Sequence, residues 1–147
     1  MSAEIDNLIP KVYIAGPWKR KDEAAAAAAA FDAAGFAITQ AWWLYDNNED
    51  PSLDLGQCAT NDINGVLGAH FLVLLNLELS EGKAVETGVA LITNKCIVLV
   101  GEPSNIFHHL EAINKVADIP SAITFCQQTF ERAKHVAKAL IAPPQGA

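Results

Sequence analysis

The chain has 147 residues and a mass of 15.7 kDa, a length that suits one domain able to bury a core of its own. With 51% hydrophobic and 18% charged residues, its composition is that of a globular protein and argues against intrinsic disorder. The net charge of −7, with the few basic residues forming no long block, argues against a phosphate-backbone binder, so nucleic acid polymers are not expected partners.

Cys58, Cys96 and Cys126 lie far apart, with none of the close Cys/Cys or Cys/His pairs that a zinc site requires. They read as reduced thiols of a cytoplasmic protein. The opening Met1-Ser2-Ala3-Glu4-Ile5-Asp6 has no basic region followed by an apolar core, and no apolar run approaches the roughly 18 residues of a membrane span. Neither a targeting segment nor a membrane anchor is expected.

Residues 1–9 read as a polar, mobile leader. Val12 to Ala15 is a short strand closed by Gly16-Pro17. Asp22 to Ala34 is a helix carrying seven alanines from Ala24 to Ala30, small enough to lie close on a sheet, with Gly35 at the C-cap. Phe36 to Thr39 supplies a second strand. Gln40 to Gly56 is a loop long enough to suggest function, holding Trp42, Trp43, Tyr45 and several acids. Cys58 to Gly68 fits a helix because Ile63, Val66 and Leu67 share one face. Phe71 to Asn76 is the third strand, Gly82 to Thr93 the next helix and Cys96 to Val100 the fourth strand. Asn105 to Val116 is expected to be helical, Ala122 to Cys126 a fifth strand and Gln127 to Ile141 a closing helix. Residues 142–147 read as a fraying tail.

Strands alternating with helices imply an α/β domain spanning residues 1–147, with a parallel sheet covered on both faces. Right-handed crossovers favour a flavodoxin-like, three-layer arrangement with five strands in the order 2-1-3-4-5. Segments that follow strand ends then share one edge of the sheet. Tyr13, Gly16 and Pro17 close strand one, Trp42 and Trp43 follow strand two, Asn61 and Asp62 start near the same edge, and Ser80 to Glu86 follow strand three. The crevice between strands one and three is where such sheets hold ligands.

Glu86 is expected in the first turn of its helix, ionised at neutral pH and favoured there by nearby backbone N–H groups. A carboxylate in that place is a candidate nucleophile, although most first-turn glutamates do no more than satisfy the dipole. Asp62, facing it, is suited to hold or protonate a heterocyclic base as it leaves, though Asn-Asp is also a common helix cap. Two carboxylates divided in this way match cleavage at a sugar's anomeric carbon. One of the paired tryptophans is expected to pack on the core and the other to stack on a base. His108 and His109 diverge on a helix and have no acid or thiol at ligand spacing, so no metal site is expected.

Three stretches resemble the nucleoside 2-deoxyribosyltransferases and the related deoxynucleoside 5′-monophosphate N-glycosidases. They are Tyr13-Ile14-Ala15-Gly16-Pro17, Asn61-Asp62-Ile63 with Ala69, and Gly82-Lys83-Ala84-Val85-Glu86-Thr87-Gly88-Val89-Ala90. The likeness runs loosely on through Asn105-Ile106-Phe107 and the last helix, so it spans nearly the whole domain. It implies that Glu86 attacks the anomeric carbon and carries a covalent deoxyribosyl intermediate, passed on to another base or to water. It further implies that Asp62 contacts the leaving base, that Tyr13 orients the nucleophile or the sugar, and that no cofactor takes part. Homodimers or higher homo-oligomers are implied too, with the segment around His108 a candidate donor to a neighbour's pocket.

Two positions depart from the transferase pattern. Ser80 stands six residues before Glu86, where transferases carry Asp and the monophosphate N-glycosidases carry Ser. A neutral hydroxyl tolerates a phosphate dianion that a carboxylate would repel, and Gly82 and Lys83 are placed to add donors, so Ser80 tilts the choice between nucleoside and 5′-monophosphate toward the latter and leaves both open. His70 replaces an Asp often found after Ala69. The competing readings are a non-catalytic nucleotide-binding regulatory domain and an NAD-cleaving enzyme of the kind seen in TIR domains.

Overall fold

The computed structural model describes residues 1–45 and 52–146. Five parallel strands form one sheet: β1 (Lys11–Ala15), β2 (Ala37–Ile38), β3 (Phe71–Leu75), β4 (Cys96–Val100) and β5 (Ile113–Val116), in the order β2-β1-β3-β4-β5. β1 and β3 pair with Tyr13 opposite Leu72, and β3 and β4 with Val73 opposite Val98. All five residues of β3 are buried, as a central strand covered on both faces requires. The helices are α1 (Ser2–Asp6), α2 (Lys21–Ala33), α3 (Leu55–Gly68), α4 (Glu81–Ile92) and α5 (Ile119–Ile141). α2 packs with α5, and α3 packs with α4, giving the expected three-layer α/β domain.

Local chemistry explains most boundaries. α2 ends at Ala33, and Gly35, with φ of +94°, takes the left-handed turn that lets Phe36 N–H reach back to Phe31 O. Asp54 and Ser80 cap α3 and α4 through the N–H groups of Gln57 and Lys83. The first residues, expected as a mobile leader, form α1, which packs on the end of α5. There Lys138 pairs with the Asp6 carboxylate and Lys134 donates to Asp6 O at 3.2 Å.

The last third of the chain departs from the sequence expectation. Residues 106–109 are a short 3-10 turn, the fifth strand lies at Ile113–Val116, and 122–126 belong to α5. The apolar, β-branched run Ala-Ile-Thr-Phe-Cys reads as a strand in isolation. Asp118, accepting from Ser121 N–H, and Pro120 in the first turn start a helix instead. Ala122, Cys126 and Phe130 then recur every four residues along its buried face.

Candidate active site

Tyr13, in β1, is fully buried, and its ring lies under α3. The contact depends on Gly65. A Cβ there would stand 2.6 Å from the Cβ of Gln40 and 2.9 Å from the Tyr13 ring, so only glycine allows α3 to come this close. Thr39 Oγ1 donates to Gly65 O at 2.7 Å and fixes the same approach from the end of β2. Asp62 sits three residues earlier on α3, so the glycine contact also sets where that carboxylate stands.

Glu86 is in the second turn of α4, not in the first as expected, because the helix begins at Glu81 behind the Ser80 cap. Its side chain is directed inward, and Oε2 is buried without a hydrogen-bond partner. The Tyr13 hydroxyl is likewise buried with no partner at full hydrogen-bond distance, the Glu86 carboxyl being the acceptor it approaches. Burial pushes the Glu86 carboxyl up to about 8, with the Asp62 charge adding to the rise and the Tyr13 hydroxyl and the Lys83 ammonium opposing it. Burial therefore favours the neutral form of the Glu86 carboxyl, opposite in direction to the ionised group expected at a helix start. Burial also drives the Tyr13 phenol far above its usual range, and Glu86 and then Asp62 drive it further. The three groups thus lie within electrostatic reach of one another although they come from β1, α3 and α4.

Asp62 is half-buried. Burial holds its carboxyl above the usual range, while the Tyr45 hydroxyl and the Gln40 amide oppose that shift. Tyr45 stands between them: Gln40 Nε2 donates to its oxygen at 2.7 Å, and its hydroxyl lies 3.4 Å from both Asp62 Oδ1 and Cys58 O. One phenolic proton serves either acceptor. Gln40, Tyr45 and Gly65 were not singled out in the sequence. Tyr45 carried a signal as an aromatic in the long loop, and Gly65 as a lone glycine inside a helical pattern.

The other expected site residues divide by what they touch. Gly16 and Pro17 close β1 at this edge, and a Cβ on Gly16 would meet the Trp42 ring at 3.6 Å. Trp42 is the core tryptophan of its pair, with Nε1 donating to Ile14 O at 2.7 Å, while Trp43 is half-buried and edge-on to it at 5.8 Å. Asn61 is half-buried, its Oδ1 accepting from Gln57 Nε2. Ser80 accepts from Lys83 N–H at 3.4 Å as the α4 cap, and Gly82 leaves room between that hydroxyl and Glu86 Oε1.

Lys83 is only 4% exposed, and its ammonium donates to Leu75 O, Asn76 Oδ1 and Glu78 O, so its three N–H groups are taken up by the loop before α4. His108 is equally buried, its Nδ1 accepting from Ser104 N–H and its Nε2 facing Asn105. Neither side chain is presented to the rim. Lys83, Asn76, Ser104 and His108 border a cavity of about 40 Å³, room for about one water.

Larger cavities lie away from the three converging groups, among them an apolar groove of about 590 Å³ between α2 and α5, one of about 430 Å³ between Val116 and the start of α5, and one of about 350 Å³ between α4 and Phe107. Among the described residues, no group of three or more His, Cys, Asp or Glu side chains is placed to hold a metal ion, and no helix is long and apolar enough to cross a membrane. No family model matches the chain, and no curated protein matches it either.

Proposed function

We propose that the protein is an enzyme of nucleoside N-glycosidic bonds, using Glu86 as nucleophile on 2′-deoxynucleosides or their 5′-monophosphates. The observation that carries this reading is the pair of buried, unpartnered polar atoms, Tyr13 Oη and Glu86 Oε2, at the sheet's switch point with Asp62 close by. Buried polar atoms without partners cost stability, and such a pair fits a site that a polar ligand completes. The resemblance of the surrounding motifs to deoxyribosyltransferases supports the same chemistry.

In the first step a Glu86 oxygen forms a bond to the anomeric carbon. The bond from that carbon to the base breaks with its electron pair on the base nitrogen, which takes the Asp62 proton. In the second step a base N–H or water attacks the same carbon, the ester bond to Glu86 breaks, and the released proton returns to Asp62. Glu86 thus has to be ionised and Asp62 protonated for the first step, and two interacting carboxyls share their protons as a unit. Tyr13, whose proton is firmly held, donates to the Glu86 oxygen that is not attacking and fixes its direction.

Ser80 directs the reading toward 5′-monophosphates. Its oxygen accepts the helix cap, which leaves its O–H free to donate to a phosphate beside the unpaired N–H groups that open α4. The ligand class is a small nucleoside or nucleotide, with a second base as acceptor where transfer occurs.

A second copy of the chain is the partner proposed for the apolar surface beside the site. Val85 and Ile92 on α4 are exposed with Ile106 and Phe107, Ile92 by 85% and Ile106 by 79%. Ile92→Asp is expected to convert a dimer to a monomer in sedimentation. An unchanged sedimentation profile counts against this surface.

The functional test is incubation with deoxynucleosides, their 5′-monophosphates and NAD, with and without a second base, followed by chromatography. Base release lost in Glu86→Gln is expected. Nicotinamide release alone, or tight nucleotide binding without any base release, overturns the reading.

A further inference from the structure

Lys83 is a buried cation with no carboxylate in contact. Its ammonium is only 4% exposed, and the three groups it reaches, Leu75 O, Asn76 Oδ1 at 3.0 Å and Glu78 O, are all neutral oxygens. No ion pair involving Lys83 forms among the described residues. A buried lysine is rarely tolerated without an anion near it. The carboxylates within electrostatic reach are Glu78, on the exposed loop, and Glu86, one helical turn further along α4. Glu78 acts on the ammonium more strongly than Glu86, but it is Glu86 whose carboxyl oxygen is buried without a partner.

The cage also fixes where the charge stands. Asn76 at the end of β3 presents Oδ1 to Lys83 and donates through Nδ2 to Glu102 O and to Ser104 Oγ. Ser104 N–H in turn donates to His108 Nδ1. The ammonium is thereby tied to β3 and to the segment after β4, and it cannot swing toward the rim without abandoning three acceptors. The groups facing Glu86 from its packed elements are Tyr13 on β1, Asp62 on α3 and Lys83 on α4. Those facing Lys83 are Glu78, Glu86 and His108. Lys83 is the one basic side chain among the groups facing Glu86, and burial pulls its ammonium below the usual range while Glu78 and Glu86 oppose that fall.

We propose that Lys83 is a positioning residue for the reaction: its caged ammonium is the fixed counter-charge that draws the Glu86 carboxyl into its ionised, attacking form. The inference rests on Glu86 being the nucleophile, and it assigns Lys83 a role other than binding substrate phosphate. The cost of burying the cation is then linked to the cost of ionising Glu86, since each charge lowers the cost of the other.

The test reads Glu86 directly, without turnover. Protein labelled with 13C-carboxyl glutamate is titrated by NMR, with the Glu86 signal assigned by its loss in Glu86→Gln. In the intact protein the midpoint is expected at about 8. Lys83→Met is expected to raise it by about one pH unit or more, because removing a nearby opposite charge favours the neutral carboxyl. Lys83→Arg, which keeps the charge, is expected to hold it within a few tenths of a unit. Should Lys83→Met fail to fold by circular dichroism, Lys83→Gln keeps two N–H donors for the cage and is read in the same way. In base release, Lys83→Met is expected to lose about tenfold at pH 7 and to recover much of that at pH 9, a dependence that a loop defect does not produce.

An unchanged or lowered midpoint in the uncharged variants overturns the proposal. So does loss of fold in both of them, which makes the ammonium an anchor of the fold alone. Absence of base release from the intact protein, with the midpoint still rising in Lys83→Met, leaves the charge coupling standing and removes the proposed function instead.

Discussion

The helices on one face of the sheet, α2 and α5, bury only apolar residues: Ala24, Ala27, Ala28, Phe31, Ala122, Cys126 and Phe130. On the other face α4 buries Lys83 and Thr87 and holds the unpartnered oxygen of Glu86, while α3 presses a glycine onto Tyr13. Both faces cover the same five strands, so the difference is not one of architecture. The α2–α5 face gains stability from hydrocarbon burial, whereas the α3–α4 face gives some of it up to keep polar groups out of water. Local rules broken on one face alone make that face the place to look for a ligand site.

Glu86→Gln separates the two faces most sharply. Base release is expected to fall by about 10³-fold or more, as for loss of a nucleophile. The folded protein is expected to become more stable at pH 7 by up to about 3 kcal/mol, because each pH unit between the unfolded midpoint and pH 7 is worth about 1.4 kcal/mol. The sign follows from the raised carboxyl. A group at 4.5 when unfolded and about 8 when folded leaves the wild type most stable below pH 4.5, and that stability is lost as pH rises toward 8. The advantage of the Gln variant therefore grows across that window and vanishes near its acid end, in urea unfolding at several pH values. Phe31→Ala, on the opposite face, is expected to cost about 3–5 kcal/mol and to leave activity per folded molecule intact.

Gly65→Ala tests whether the α3 contact sets the site. The added methyl has to displace Gln40 or the Tyr13 ring, with an expected stability cost of about 1–3 kcal/mol and a kcat loss of about 10²-fold. A stability loss with kcat unchanged separates the glycine from the chemistry. In the intact protein, kcat/KM is expected to stay level just below pH 8 and to fall above it, as the one proton shared by Glu86 and Asp62 is lost, and a profile that keeps rising to pH 9 contradicts the need for a protonated Asp62. Tyr45→Phe is expected to have the smallest effect, about fivefold in kcat, because its 3.4 Å approach to Asp62 is long for a hydrogen bond.

The sheet was legible in the sequence because its strands are short apolar runs bounded by glycine, proline and caps. Phe71–Leu75 and Cys96–Val100 could hardly be read otherwise. The fifth strand was not legible, since Ile113-Asn114-Lys115-Val116 is half polar and stands at the sheet's edge, while the β-branched start of α5 imitates a strand better. The convergence of Tyr13, Asp62 and Glu86 followed from topology alone. The state of those groups did not, because protonation depends on burial and on neighbours that only packing supplies. Gln40 and Tyr45 were missed for the same reason: their meaning lies in a contact with Asp62, not in a spacing.

Of the tryptophan pair, one member was expected on the core without the sequence saying which; packing chooses Trp42, whose indole N–H closes the carbonyl at Ile14 and whose ring fills the space beside Gly16. Residues 46–51, which include some of the long loop's acids, lie outside the described residues.

Mass spectrometry of protein quenched during turnover tests the central claim most directly. A deoxynucleoside or deoxynucleoside 5′-monophosphate is expected to leave one deoxyribosyl or 5-phosphodeoxyribosyl group on the peptide containing Glu86, and none on Glu86→Gln. Base released at an undiminished rate by Glu86→Gln, or a sugar adduct mapped to any other residue, contradicts the account.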